Sequence, residues 1–166
     1  DSGPGPASKP MRADLVILHF NDFHGQILAK AIEFPGRPTR QLGGLAGVKH
    51  FIDRKRQVHG ADRVWVTNGG DWYQGTPEGN ETKGVAIQKA FELLQPTATV
   101  IGNHEYDFGE RQVQELVKLA KEPVLGANIL APDGSLRAYA KAYVVQQLDG
   151  VRIALVGLIA AETKTV

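Results

Sequence analysis

The chain has no cysteine, a single methionine and few aromatic residues, with Phe, Trp and Tyr together at 7%. Without thiols there is no disulfide scaffold, no thiolate metal site, no iron–sulfur cluster and no cysteine nucleophile. Any metal site must therefore be built from His, Asp, Glu, Asn or Gln. Lack of cysteine fits any redox compartment, so it does not place the protein. Neither sign of charge dominates: 19 Lys plus Arg face 18 Asp plus Glu. Whole-chain electrostatics thus gives no reason to expect nucleic acid or an anionic membrane as a partner. No apolar run approaches the ~18 residues of a membrane span. Residues 1–10 carry three Pro and two Gly with no apolar stretch, which does not read as a signal peptide.

What is present is ordinary for a globular domain. Of 166 residues, 42% are hydrophobic and 22% charged, close to the soluble average. The length predicts one domain over 13–166, preceded by a flexible leader over 1–12. A domain of this size can bury roughly 70% of its unfolded surface.

The run Leu15-Val16-Ile17-Leu18 predicts a first strand, buried on both faces. Residues 29–41, with two Pro and one Gly, read as a loop. Leu45, Val48, Phe51 and Ile52 recur at helical spacing over 43–58, with a basic run at Arg54-Lys55-Arg56, so this helix is amphipathic. The basic run can meet an anion or simply form a solvated face. Val64-Trp65-Val66 is a second buried strand. A helix is expected over 82–94, from a Thr cap to the stop before Pro96. Ala98 to Ile101 forms a third strand, 110–121 a third helix ending before Pro123, and Val124-Leu125 a fourth strand. The last two strands, 142–148 and 151–157, flank Asp149-Gly150, a strong hairpin signal. Strands alternating with helices imply a mainly parallel sheet with right-handed crossovers.

Polar clusters fall at the ends of these strands. Asp22 and His24 follow the first, Asp71 the second, and Asn103, His104, Glu105 and Asp107 the third. In a parallel sheet the carboxyl ends share one edge, where ligands bind, so segments far apart in sequence should converge. Asp22 and His24 can face one cation from a loop leaving a strand. Asp71 adds a carboxylate able to bridge two ions, and Gly69 and Gly70 permit a sharp turn beside it. Asn103 offers a neutral oxygen. Mixed nitrogen and oxygen ligands suit Zn, Mn, Fe or Co, and an ion pair of this kind polarises a phosphoryl group and activates water. His104 can act outside the ligand shell as a proton donor, oriented by Asp107. Singly, each of these residues has a plain structural role in a turn, a loop or a helix cap; their order along the strands gives them a joint meaning. His19, inside the first strand, is expected to be a core or supporting residue, and His50 and His59 are expected on the surface. Trp65 belongs to the core. Trp72 and Tyr73 either flank the site or pack its loop.

The stretch Ile17 to Gly25, the pair Asn68-Gly69-Gly70-Asp71 and Gln74-Gly75-Thr76-Pro77, and the stretch Ile101 to Gly109 resemble three successive motifs of the 5′-nucleotidase family of calcineurin-like metallophosphoesterases. Residues 123–129 and 151–158 also fit its pattern. The resemblance implies an α/β fold, the amino-terminal half of an αββα sandwich with flanking helices and a C-terminal β-hairpin. It implies two divalent ions, Asp22 and His24 binding the first, Asp71 bridging, Asn103 binding the second. His104 is implied as the catalytic histidine, supported by Asp107. The implied reaction is hydrolysis of a phosphate ester, typically a nucleotide, in nucleotide catabolism, and the implied location is periplasm, cell surface or medium.

The sequence departs from the family in two respects. No histidine follows His104, whereas the family takes two later histidines for its second ion, and its nucleoside-binding domain has no counterpart here. The chain is therefore expected to bind one ion better than two, to hydrolyse esters slowly, and to self-associate through an uncovered sheet face. Two alternatives stand beside this reading: a non-catalytic metal-binding half-domain, and a relative acting on a cyclic nucleotide, sugar nucleotide or sulfur ester.

Overall fold

The computed structural model describes residues 14–165; the leader expected over 1–12 lies outside the described residues. In chain order the elements are β1 (Val16–Phe20), β2 (Lys30–Phe34), β3 (Arg37–Leu42), α1 (Gly44–His59), β4 (Val64–Asn68), α2 (Pro77–Glu81), α3 (Val85–Phe91), β5 (Ala98–Val100), α4 (Glu110–Leu119), β6 (Val124–Leu125), β7 (Tyr143–Leu148) and β8 (Val151–Val156), with short 3-10 turns at Ala61–Arg63, Glu92–Leu94, His104–Tyr106 and Ala161–Thr165. The central sheet is parallel, in the order β1-β4-β5-β6.

That order decides where everything else goes. Each new sheet strand is laid on the same side of the last, so right-handed crossovers deliver α1, α3 and α4 to one face. Leu18, Phe20 and Val66 from that face pack with Leu45 and Ile52 of α1, Ile87 and Phe91 of α3, and Leu116 of α4. Phe20, Phe23 and Phe91 meet edge to face, with centroids 5.1–6.2 Å apart, a geometry that favours aromatic pairs. Trp72 and Tyr73 are buried in the same cluster. They pack the loop after β4 into the core, which settles the alternative left open by the sequence.

The other face carries Ile17, His19, Trp65 and Thr67, fixed there by the register of β1 against β4. The β7–β8 hairpin is anchored beside it. Its Asp149-Gly150 turn has both residues at positive φ, 50° and 80°, as a two-residue primed turn requires. Arg63 binds Asp149 at 2.7 Å. At the far end the Gly126 and Ala127 N–H groups donate to the carbonyls of Lys141 and Gly157.

Several expectations need correction. The first strand is not buried on both faces: β1 is the edge of the sheet and its burial alternates, with Ile17 51% exposed. His19 accordingly is exposed, its Nδ1 2.9 Å from Thr67 Oγ1. The loop expected over 29–41 is the β2–β3 hairpin, turned at Gly36 with φ 70° and carrying a bulge between Ile32 and Phe34. All its strand residues are exposed, so no hydrophobic alternation marks it, and its two Pro sit at the turn and in the irregular stretch. The helix expected over 82–94 is α3 followed by a 3-10 turn, and a separate short helix, α2, precedes it. Thr76 caps α2 by accepting from Gly79 N–H at 3.2 Å, with Pro77 in the first turn. Lys83 and Gly84 at positive φ then break the chain direction before α3. Thr82 still serves α3, its Oγ1 accepting from Ala86 N–H at 3.2 Å.

Other expectations hold. Trp65 is buried, and His50 and His59 are exposed. In the basic run, Arg56 donates to the carbonyls of Leu94 and Gln95 at 3.0 Å, tying α1 to the turn before β5. Among the described residues no helix is long and apolar enough to cross a membrane.

Candidate metal centre

The loops leaving β1, β4 and β5 meet at the carboxyl edge of the sheet. The first two are joined as if the strands continued: Asp22 N–H donates to Gly70 O, His24 N–H to Asp71 O and Gly25 N–H to Trp72 O, at 2.9–3.1 Å. Asp22, His24 and Asp71 all have positive φ, 52°, 48° and 54°. A left-handed backbone at non-glycine residues costs free energy and persists where the surroundings over-determine it. Here it turns the His24 and Asp71 side chains toward one place, with Asp22 beside His24.

There, ligand atoms of His24, Asp71 and His104 lie within 4.8 Å of one another. The His24 and His104 rings are 5.2 Å apart between centroids, inclined at 70°. Asp22 borders this group, its Oδ1 3.9 Å from His24 Nε2, while the Asn21 amide donates to its other oxygen. Asn103 is half-buried at the start of the 3-10 turn that carries His104. Thus the structure gathers His24, Asp71 and His104, sets Asp22 against His24, and places Asn103 next in chain to the group. His104, expected outside the ligand shell, is within reach of it.

The donor set fits a divalent transition ion. His24 Nδ1 is 2.7 Å from the Gln74 carbonyl, an acceptor only, so Nδ1 carries the proton and Nε2 is left as a lone-pair donor. One imidazole nitrogen beside carboxylate oxygens is borderline chemistry suited to Zn, Mn, Fe or Co. His104 is held similarly: Nδ1 lies 2.9 Å from Asp107 Oδ2. That hydrogen bond raises the His104 pKa, with burial opposing it.

One residue without a role in the sequence reading is prominent here. Glu105 is completely buried. Its Oε2 accepts the N–H groups of Gly102 and Asp71 at 2.7 and 2.9 Å, and its Oε1 that of Trp72 at 2.9 Å. Burial pushes its pKa up to about 7 against these three bonds. Acceptance at both oxygens is the arrangement of an ionised carboxylate. Gln74, whose carbonyl fixes His24, also had no role. Nothing in the sequence marks a backbone carbonyl, and a Glu in a polar run reads as surface.

Comparison with known proteins agrees with this geometry. A family model described as calcineurin-like phosphoesterase matches residues 15–152. The chain is 30% identical over 153 residues to human 5′-nucleotidase, covering 91% of this chain and 26% of that protein. It is 34% identical over 155 residues to a snake venom 5′-nucleotidase of Crotalus adamanteus, again covering 91% and 26%. The crystal structure of a 5′-nucleotidase precursor from Thermus thermophilus superposes with a TM-score of 0.78 at 27% identity, over 90% of this chain and 29% of that one. The chain spans about a quarter of the length of the curated relatives it matches.

Proposed function

The chain belongs to the calcineurin-like phosphoesterase family, and we propose that its convergent rim is one side of a hydrolytic centre for phosphate esters of the nucleotide type. The observation that carries this reading is the approach of His24, Asp71 and His104 to within 4.8 Å at the carboxyl edge of a parallel sheet. His24, Asp71 and Asp22 would hold a divalent ion, with Asn103 contributing to a second. Such ions supply positive charge that polarises phosphoryl oxygens and acidifies water.

The remaining chemistry belongs to the chain. His104, with its Nδ1 proton shared with Asp107, presents Nε2 toward the rim. In its protonated form it stabilises charge on the phosphoryl group and gives its Nε2 proton to the leaving oxygen. Asp107 favours that form. The relatives named 5′-nucleotidase support a nucleoside monophosphate as substrate.

The test is phosphate release from AMP in Mn²⁺ by the purified chain. Slow release is expected, falling about 100-fold in His104→Ala, the lower end of what a positioned acid contributes. Release unchanged by His104→Ala overturns the assignment of the proton donor. Ion binding without any release favours the metal-binding half-domain instead.

The Asp107 contact gives a pH signature. Asp107 raises the His104 pKa above its ordinary value, so the protonated donor persists to higher pH. Asp107→Asn removes the charge and lowers that pKa. The alkaline limb of the rate profile should move to lower pH, while the acid limb stays. A limb that does not move, or moves upward, contradicts the role of Asp107.

A further inference from the structure

The loops after β1 and β4 are joined by three backbone hydrogen bonds, but among the described residues no backbone–backbone bond joins the loop 69–75 to the loop 101–108. What crosses that gap is side chain. Asp71 Oδ1 accepts the His104 N–H at 2.9 Å, and Tyr73 Oη donates weakly to the Glu105 carbonyl at 3.4 Å. The dominant link is the Glu105 carboxylate, which grips Asp71 N–H and Trp72 N–H on one loop and Gly102 N–H on its own. All three donors belong to backbone near the ion ligands.

We propose that Glu105 is a positioning residue for the metal centre: its buried carboxylate sets the separation between the Asp71 loop and the Asn103-His104 loop, and through it the affinity for the ion. The inference rests on the reading of His24, Asp71 and Asp22 as ion-holding groups, with His104 beside them. Three features carry it. A buried carboxylate is expensive unless hydrogen-bonded, and here every bond goes to backbone of the two loops, so it serves their relative placement. Asp71 is fixed from both ends, its N–H by Glu105 and its Oδ1 by the residue preceding Glu105. The loops also approach too closely for another arrangement: a Cβ on Gly70 would lie 2.6 Å from Gly102 N. Glu105 is not one of the groups whose ligand atoms converge at the rim. It acts on the ligands through the main chain.

The decisive variant is Glu105→Gln. The amide keeps the size of the side chain but has one oxygen where three N–H groups converge on two. Wherever that oxygen sits, the NH₂ group faces a backbone donor. The loops must separate or rotate, and the ligands with them. Removing an outer partner of metal ligands typically weakens binding 10–100-fold, and that is the expected loss in Mn²⁺ affinity by calorimetry. Leu94→Ala, a buried position in the turn leading to β5, is the control for stability alone. It should lower the denaturant midpoint at least as much and leave the Mn²⁺ affinity unchanged.

The outcomes separate cleanly. If the unaltered chain binds no Mn²⁺, the metal reading falls and this inference falls with it. If the unaltered chain binds and Glu105→Gln binds equally well, the metal reading stands and the positioning role is overturned. Equal loss of affinity in Leu94→Ala overturns it too, because affinity then merely tracks stability. A Glu105→Gln chain that does not fold also overturns it, since the carboxylate would then govern folding and not ligand geometry.

Discussion

Replacing Asp71 by asparagine is expected to lower divalent-ion affinity by more than ~100-fold, beyond the upper range for losing an outer-shell partner, while leaving the fold nearly as stable as before. The substitution is chosen for what it preserves. Asp71 sits at φ 54°, a left-handed conformation that Asn tolerates as well as Asp and that Ala tolerates poorly. Its Oδ1 accepts the His104 N–H, and an amide oxygen can do the same. What Asn removes is the negative charge and one anionic oxygen, the features an ion needs from a ligand expected to bridge. With Glu105 buried close by, removing a like charge relieves repulsion in the ion-free chain. The unfolding free energy should therefore hold within about 1 kcal/mol or rise slightly, the usual span for changes that keep packing and hydrogen bonds. Calorimetric titration with Mn²⁺ alongside urea unfolding separates the two quantities. Unaltered affinity in Asp71→Asn would remove Asp71 from the ligand set, and the proposed chemistry with it.

How much of this was readable beforehand depended on whether a residue's role followed from topology or from packing. Asp22, His24, Asp71, Asn103 and His104 could be grouped because a parallel sheet puts successive strand ends on one edge, so the sequence order of strands is already spatial information. Asp149-Gly150 was readable because a primed turn has a strict conformational demand. The β2–β3 hairpin was not, since a hairpin exposed on every residue leaves no periodic trace. The break at Lys83-Gly84 leaves no trace in the apolar pattern, because α2 ahead of it (Pro77–Glu81) has no apolar face that a helical period could register. Glu105 and Asp107, two residues apart in the same polar run, look alike in sequence. Yet one is fully buried against three N–H groups and the other faces His104 at the rim. Only the close approach of two loops distinguishes them, and that approach is a tertiary fact. The same holds for His19: an apolar run predicts a strand buried on both faces, and only the sheet order shows that β1 is an edge.

That close approach makes the second large effect. Gly70→Ala is expected to destabilise the chain by on the order of 4 kcal/mol, from two separable causes. The residue has φ 106°, a region that costs an L-residue about 1–3 kcal/mol. In addition its new methyl would lie 2.6 Å from Gly102 N and 2.7 Å from Gly102 Cα, both backbone atoms that cannot swing aside, and overpacking of this kind costs about 1–3 kcal/mol more. Gly134→Ala isolates the first cause, because Gly134 also has positive φ, 83°, with nothing within 4 Å of an added Cβ. The difference between the two variants in urea unfolding then measures how tightly the β4 and β5 loops are pressed together. Because Glu105 bonds to both loops at that point, prying them apart should weaken Mn²⁺ binding in Gly70→Ala and leave it intact in Gly134→Ala. If Gly70→Ala costs no more than Gly134→Ala, the two loops are not in the contact on which the whole centre is built.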